Sequence, residues 1–88
     1  MYDLEIKSSC QKDIERLCKK NSLLKKILER KINEIMENPQ HYKPLKYGFA
    51  GERRVHILKS FILRFEVNES AKTIIFLFFG HHDKAYTR

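Results

Sequence analysis

Two adjacent histidines, a tyrosine and a set of arginines are the side chains in this 88-residue chain best suited to chemistry. His81 and His82 open the C-terminal run His81-His82-Asp83-Lys84-Ala85-Tyr86. An imidazole titrates near neutrality and a phenol can donate a proton, so both suit acid-base work. At helical spacing His82 falls on one side with Tyr86, whereas His81 pairs with Ala85. Neighbours at a strand end point to opposite faces, so the two histidines are expected to act separately. Set beside guanidinium groups, an imidazole and a phenol are the parts needed to cut RNA without a metal. A base takes the ribose 2′-hydroxyl proton, an acid protonates the leaving oxygen, and arginines stabilise the charge growing on the phosphate. Other chemistries lack their parts: there are no paired carboxylates for two-metal hydrolysis, no glycine-rich phosphate loop and no G-x-S-x-G. His81, His82 and Asp83 do not converge as metal ligands without a bend. Cys10 and Cys18, about 12 Å apart along one helix, are beyond disulfide reach and are expected to be reduced core residues. No metal and no cofactor is expected. Any one histidine is more often an ordinary surface or core residue, so the weight lies on the company it keeps.

The elements that must hold these groups follow from hydrophobic patterning. Lys72 to Gly80 reads K-T-I-I-F-L-F-F-G, a strand apolar on both faces and hence central in a sheet, and the histidines sit at its end. Arg53 to Leu58 and Phe61 to Val67 read as a hairpin. Phe61, Leu63, Phe65 and Val67 share one face, and Val55 and Ile57 join it if Ile57 opposes Phe61 across the loop Leu58-Lys59-Ser60. That register sets Arg54 opposite Arg64 and His56 opposite Ile62. Two guanidinium groups directly across a ladder repel unless an anion sits between or above them, which makes the outer face of the hairpin the expected phosphate site. The bland alternative is that both arginines lean apart into water.

Upstream, Tyr2, Leu4 and Ile6 alternate with charged residues as a first strand. Ser8 with Gln11 reads as a capping box for a helix whose stripe is Cys10, Ile14, Leu17 and Cys18. Asn21-Ser22 caps a second helix carrying Leu24, Ile27, Leu28, Ile32, Ile35 and Met36 until Asn38-Pro39 stops it. Pro39 to Gly51 is a loop long enough to bind a partner. The order β-α-α-β-β-β predicts an α+β fold in which a two-helix hairpin packs on a small, mainly antiparallel sheet, with residues 1–88 forming one domain. Of the net charge of +7, five units come from residues 39–65, a concentration that suits a polyanionic partner. Lys43, Lys46, Arg53, Lys59 and His81 are the expected RNA contacts. No stretch reaches the roughly 18 apolar residues of a membrane span and no leader is evident, so a cytoplasmic location without membrane partners is expected.

The run P-L-K-Y-G from Pro44, the hairpin R-R-V-H-I-L-K-S-F-I-L-R-F-E-V and the ending G-H-H-D-K-A-Y together resemble the RelE branch of the RelE/ParE toxin superfamily. The likeness spans essentially the whole chain, including the element order. It implies the toxin of a type II toxin-antitoxin system, a ribosome-dependent endoribonuclease that cuts mRNA in the ribosomal A site without a metal, and a RelB-like antitoxin that wraps and neutralises it. On this pattern Arg54 and His56 fall where such toxins carry basic residues, and Tyr86 on the tail tyrosine. His82 stands where the family often has arginine. The family's strand arginine is Ile62 here, with Arg64 two residues on and facing the same way. The resemblance leaves open whether His82 is base or acid, and whether Arg64 replaces the missing arginine or activity is reduced. It also leaves a second reading, a ParE-like inhibitor of DNA gyrase with no nuclease activity, which has no need of His82 and Tyr86. A plain nucleic-acid-binding module would need exposed stacking aromatics, whereas Phe76, Phe78 and Phe79 read as core.

Overall fold

The computed structural model describes residues 1–44 and 51–84. Four strands, β1 (Asp3–Ile6), β2 (Glu52–Ile57), β3 (Phe61–Asn68) and β4 (Thr73–His81), form one sheet in the order β1-β4-β3-β2. β1 pairs with β4 in parallel and the remaining pairs are antiparallel, so β4 is indeed an inner strand, flanked by β1 and β3. A parallel partner requires a crossover, which is what α1 (Ser8–Cys18) and α2 (Ser22–Glu37) help to supply. Both helices lie on one face of the sheet. Their Cys10, Cys18, Leu24, Leu28 and Ile35 close a core with Ile57, Leu63, Phe65, Ile74, Phe76 and Phe79. Each large apolar side chain buried this fully contributes about 1.5–3 kcal/mol, and together they are the main favourable term holding so small a domain. No helix among the described residues is long and apolar enough to cross a membrane.

The caps differ from one helix to the other. Asn21 caps α2 as its type predicts, its side-chain oxygen accepting the Leu24 N–H at 3.0 Å. The capping box expected at Ser8 does not form. Lys7, at φ −58° and ψ 140°, is the residue that precedes the helix, and no side chain caps it. Ser8 is already helical, and Gln11 donates forward to Glu15 at 3.1 Å. Both cysteines are free and buried; burial pushes the Cys10 thiol up to about 12, with Asp13 adding to the effect. Such thiols stay protonated and serve as packing.

The β2-β3 hairpin has the register that core continuity requires: Ile57 opposes Phe61, Val55 opposes Leu63 and Arg54 opposes Arg64. Its three-residue loop turns through Leu58, whose φ of 55° lies in the left-handed region. Between β3 and β4 the ladder slips. Arg64 pairs with Phe78 but Phe65 pairs with Phe76, so Leu77 is an extra residue forming a β-bulge.

Candidate active site

The bulge decides which histidine faces which way. Ile74 and Phe76 point at the helices, and strict alternation from them would turn Phe78, Gly80 and His82 the same way. Leu77 breaks that phase. Phe79 goes to the core, and Phe78, Gly80 and then His82 follow the opposite, far face of the sheet, where β2 and β3 present Glu52, Arg54, His56, Ile62, Arg64 and Glu66. His81, the register partner of Phe61, stays on the helix side, its ring 4.7 Å from the Phe61 ring. The two histidines are therefore parted, as their adjacency requires.

On the far face His82 meets His56. Their rings stack, with centroids 5.6 Å apart and planes 17° from parallel. The chain leaves β4 into a 3-10 turn, His82–Lys84, and the His82 N–H donates to the Ser60 carbonyl at 2.8 Å, tying the tail to the hairpin loop. Two strands and a loop thus fix this imidazole pair, although both residues are exposed. Beside it along β2 comes the Arg54/Arg64 cross-strand pair.

The like charges of that pair have an internal answer. Arg64 Nε lies 3.7 Å from Glu52 Oε2, and both side chains are largely buried, at 14% and 22% exposed. The Arg64 guanidinium also lies 5.4 Å from the centroid of the Phe78 ring. An external anion is therefore not required to explain the pairing: Glu52 balances Arg64, and exposed Arg54 carries the outward charge. Nothing in the sequence singled out Glu52, because its reach to Arg64 depends on the register.

The remaining candidates divide. Lys59, in the hairpin loop, is exposed at the histidine end. Lys43 is exposed next to Pro44, which bridges to Arg53 at the opposite end of the hairpin. Arg53 stands apart from Arg54: it faces the helix side, its Nε donating to the Tyr42 carbonyl at 2.9 Å and an Nη reaching Gln40 Oε1 at 3.5 Å. Lys46 and Tyr86 lie outside the described residues. Among the described residues no three His, Cys, Asp or Glu side chains converge as metal ligands.

With this geometry in hand, comparison with known proteins assigns the class. Residues 4–86 match the family described as the ParE toxin of the type II toxin-antitoxin system parDE. The chain is 43% identical over its whole length to a Methanocaldococcus jannaschii protein, named as the candidate toxin RelE4, of which it covers 94%. It superposes on the YoeB/ParE toxin of Agrobacterium tumefaciens with a TM-score of 0.81, at 18% identity, covering 91% of this chain and 98% of that one. It superposes also on a chain of the toxin-antitoxin complex RelBE2 of Mycobacterium tuberculosis, with a TM-score of 0.75 at 18% identity, covering 92% and 98%. The chain belongs to the ParE toxin family, within the RelE/ParE superfamily. It is a toxin of a type II toxin-antitoxin system with the RelE-like α+β fold.

Proposed function

We propose that this toxin is a ribosome-dependent endoribonuclease that cuts mRNA in the A site by metal-independent transfer to the 2′-hydroxyl. The observation that carries this reading is the stacked His56/His82 pair, fixed at a strand end beside Arg54 and Arg64. One neutral imidazole takes the 2′-hydroxyl proton. The oxygen attacks phosphorus, the P–O5′ bond breaks, and a protonated group, the other imidazole or the phenol of Tyr86, returns a proton to the leaving oxygen. The products are a 2′,3′-cyclic phosphate and a 5′-hydroxyl. Arg54 and the inward-braced Arg64 stabilise the dianionic phosphorane, Lys59 holds RNA at the histidine end, and Lys43, Lys46 and His81 are contacts for RNA farther from the cleaved bond. Such a protein works in the cytoplasm, where ribosomes and message are.

The test is a translating ribosome. Added wild-type chain should release message cut at the A site, and His82→Ala should slow cutting about a hundredfold with an unchanged melting temperature. Equal cutting by the variant would reject the assignment. One observation favours the second reading: the family match bears the ParE description. A gyrase inhibitor would block supercoiling and leave message intact, and its potency would not change in His82→Ala.

The partner is a RelB-like antitoxin. Support comes from the trough between α1 and α2, about 900 Å³, floored by Ile6, Ile14, Cys18, Leu28 and Ile32 and rimmed by Lys19, Lys20 and Lys25 alongside Glu15 and Glu29. An amphipathic segment with acidic flanks fits such a trough. Co-purification with the product of the adjacent reading frame, lost on charge reversal at Lys19 and Lys25, is the expected result.

A further inference from the structure

Resting on the phosphate-binding role just proposed for Arg64, we propose that Glu52, Phe78 and Gly80 are positioning residues that set this guanidinium in place before any ligand arrives. Gly80 makes the room on which the arrangement rests. A Cβ at that residue would lie 2.8 Å from Phe78 Cζ, closer than such atoms come, and 3.3 Å from Cε2, so the ring would have to move. The Phe78 ring rests against the backbone of β4 because residue 80 has no side chain. That ring is the surface on which Arg64 lies, 5.4 Å from guanidinium carbon to centroid, within cation-π range. From β2, the Glu52 carboxylate approaches the Nε edge at 3.7 Å.

Support for one side chain of β3 thus comes from both neighbouring strands. Arginine ordinarily loses considerable rotamer freedom when it binds phosphate; here that loss is already incurred in the fold. An arginine with one edge against a carboxylate and one side against a ring has its planar fork held in a single orientation. With Leu77 present, the bulge is what keeps Phe78 on this face, since plain alternation from Phe76 would point it into the core.

The experiment uses the full chain and a short 2′-O-methyl oligoribonucleotide, which binds but cannot be cut. Fluorescence anisotropy gives affinity, and the arginine Nε–Hε NMR signals report guanidinium order. In the wild type, the signal lost in Arg64→Lys should stand apart from those of the mobile arginines, and it should join them in Glu52→Gln and Phe78→Leu. Arg64→Ala should weaken binding about tenfold and Glu52→Gln or Phe78→Leu about fivefold, while Glu52→Gln added to Arg64→Ala should cost no more than about twofold, as coupled groups require. Phe78→Tyr, which keeps the ring, should restore both readouts. Gly80→Ala should behave as Phe78→Leu; if it fails to fold, the Phe78 variants decide. Equal losses from Glu52→Gln with and without Arg64, an Arg64 signal unmoved by it, or no binding by the wild type would overturn the proposal. A chain that binds in the expected pattern yet leaves message whole on ribosomes rejects the nuclease reading and keeps this one. A chain that cuts message but shows additive losses does the reverse.

Discussion

Arg53 and Arg54 are neighbours in sequence and opposite in use. Arg53 points to the helix side, where it hydrogen-bonds the Tyr42 carbonyl and Gln40 and joins β2 to the segment after α2. It belongs to a polar clasp at the sheet end far from the histidines, in which the Glu69 carboxylate accepts from Tyr2 at 2.9 Å and from Gln40, with Lys72 3.5 Å away. Arg54 points to the other face, across the ladder from Arg64 and two residues from a histidine that stacks on a second histidine. In the clasp opposite charges and matched donors meet. On the far face, cations and imidazoles gather toward the histidine end, with Glu52 and Glu66 as counter-charges at the other. A polar group whose partners all lie within the fold stabilises the fold, whereas same-sign groups collected at a rigid strand end are poised for something outside it.

The contrast can be broken by measurement. The helix-covered face should answer in stability: Phe65→Ala, at a fully buried position, should cost about 3–5 kcal/mol in denaturant melts, and a loss below 1 kcal/mol would put the core elsewhere. The far face should answer in activity, with Arg54→Ala lowering cutting about tenfold while its melting temperature changes little, since the residue is exposed. Arg53→Ala should do the opposite, losing about 1–2 kcal/mol of stability with cutting per folded molecule preserved. If both arginines affect cutting equally, the two faces are not functionally distinct. The smallest effect concerns the clasp. The hydrogen bond from Tyr2, with Gln40 and Lys72 helping, holds Glu69 below the usual carboxylate range. A carboxylate whose folded pKa is depressed adds stability that is present above its unfolded pKa and lost as pH falls through the folded value. Wild type should therefore exceed Glu69→Gln slightly at neutral pH, with the gap closing in acid; a gap that widens in acid would contradict the assignment.

Much of this was legible from residue order, for identifiable reasons. Period-two alternation in Phe61, Leu63, Phe65 and Val67, with a short loop, leaves one hairpin register that keeps the core continuous, so the Arg54/Arg64 and His56/Ile62 pairings follow. The apolar run of β4 marks an inner strand. That same run hides the bulge, because Ile74-Ile75-Phe76-Leu77-Phe78-Phe79 has no polar residue to show the phase. Phe78, which read as core, lies instead under Arg64. Arg53 read as a nucleic-acid contact by its charge, although alternation with Val55 and Ile57 already set it on the covered side. The capping box at Ser8 failed because local preference was met one residue too late: the chain is already helical there.

The slip at Leu77 also bears on how this toxin can vary. Pairing beyond it is counted from the glycine end of β4, not from the end beside β1, since the surplus residue is taken up in the bulge. A chain lacking Leu77 would regain plain alternation and still carry Phe78, Gly80 and His82 to the arginine side. Strand length at that point is thus uncoupled from the chemistry downstream.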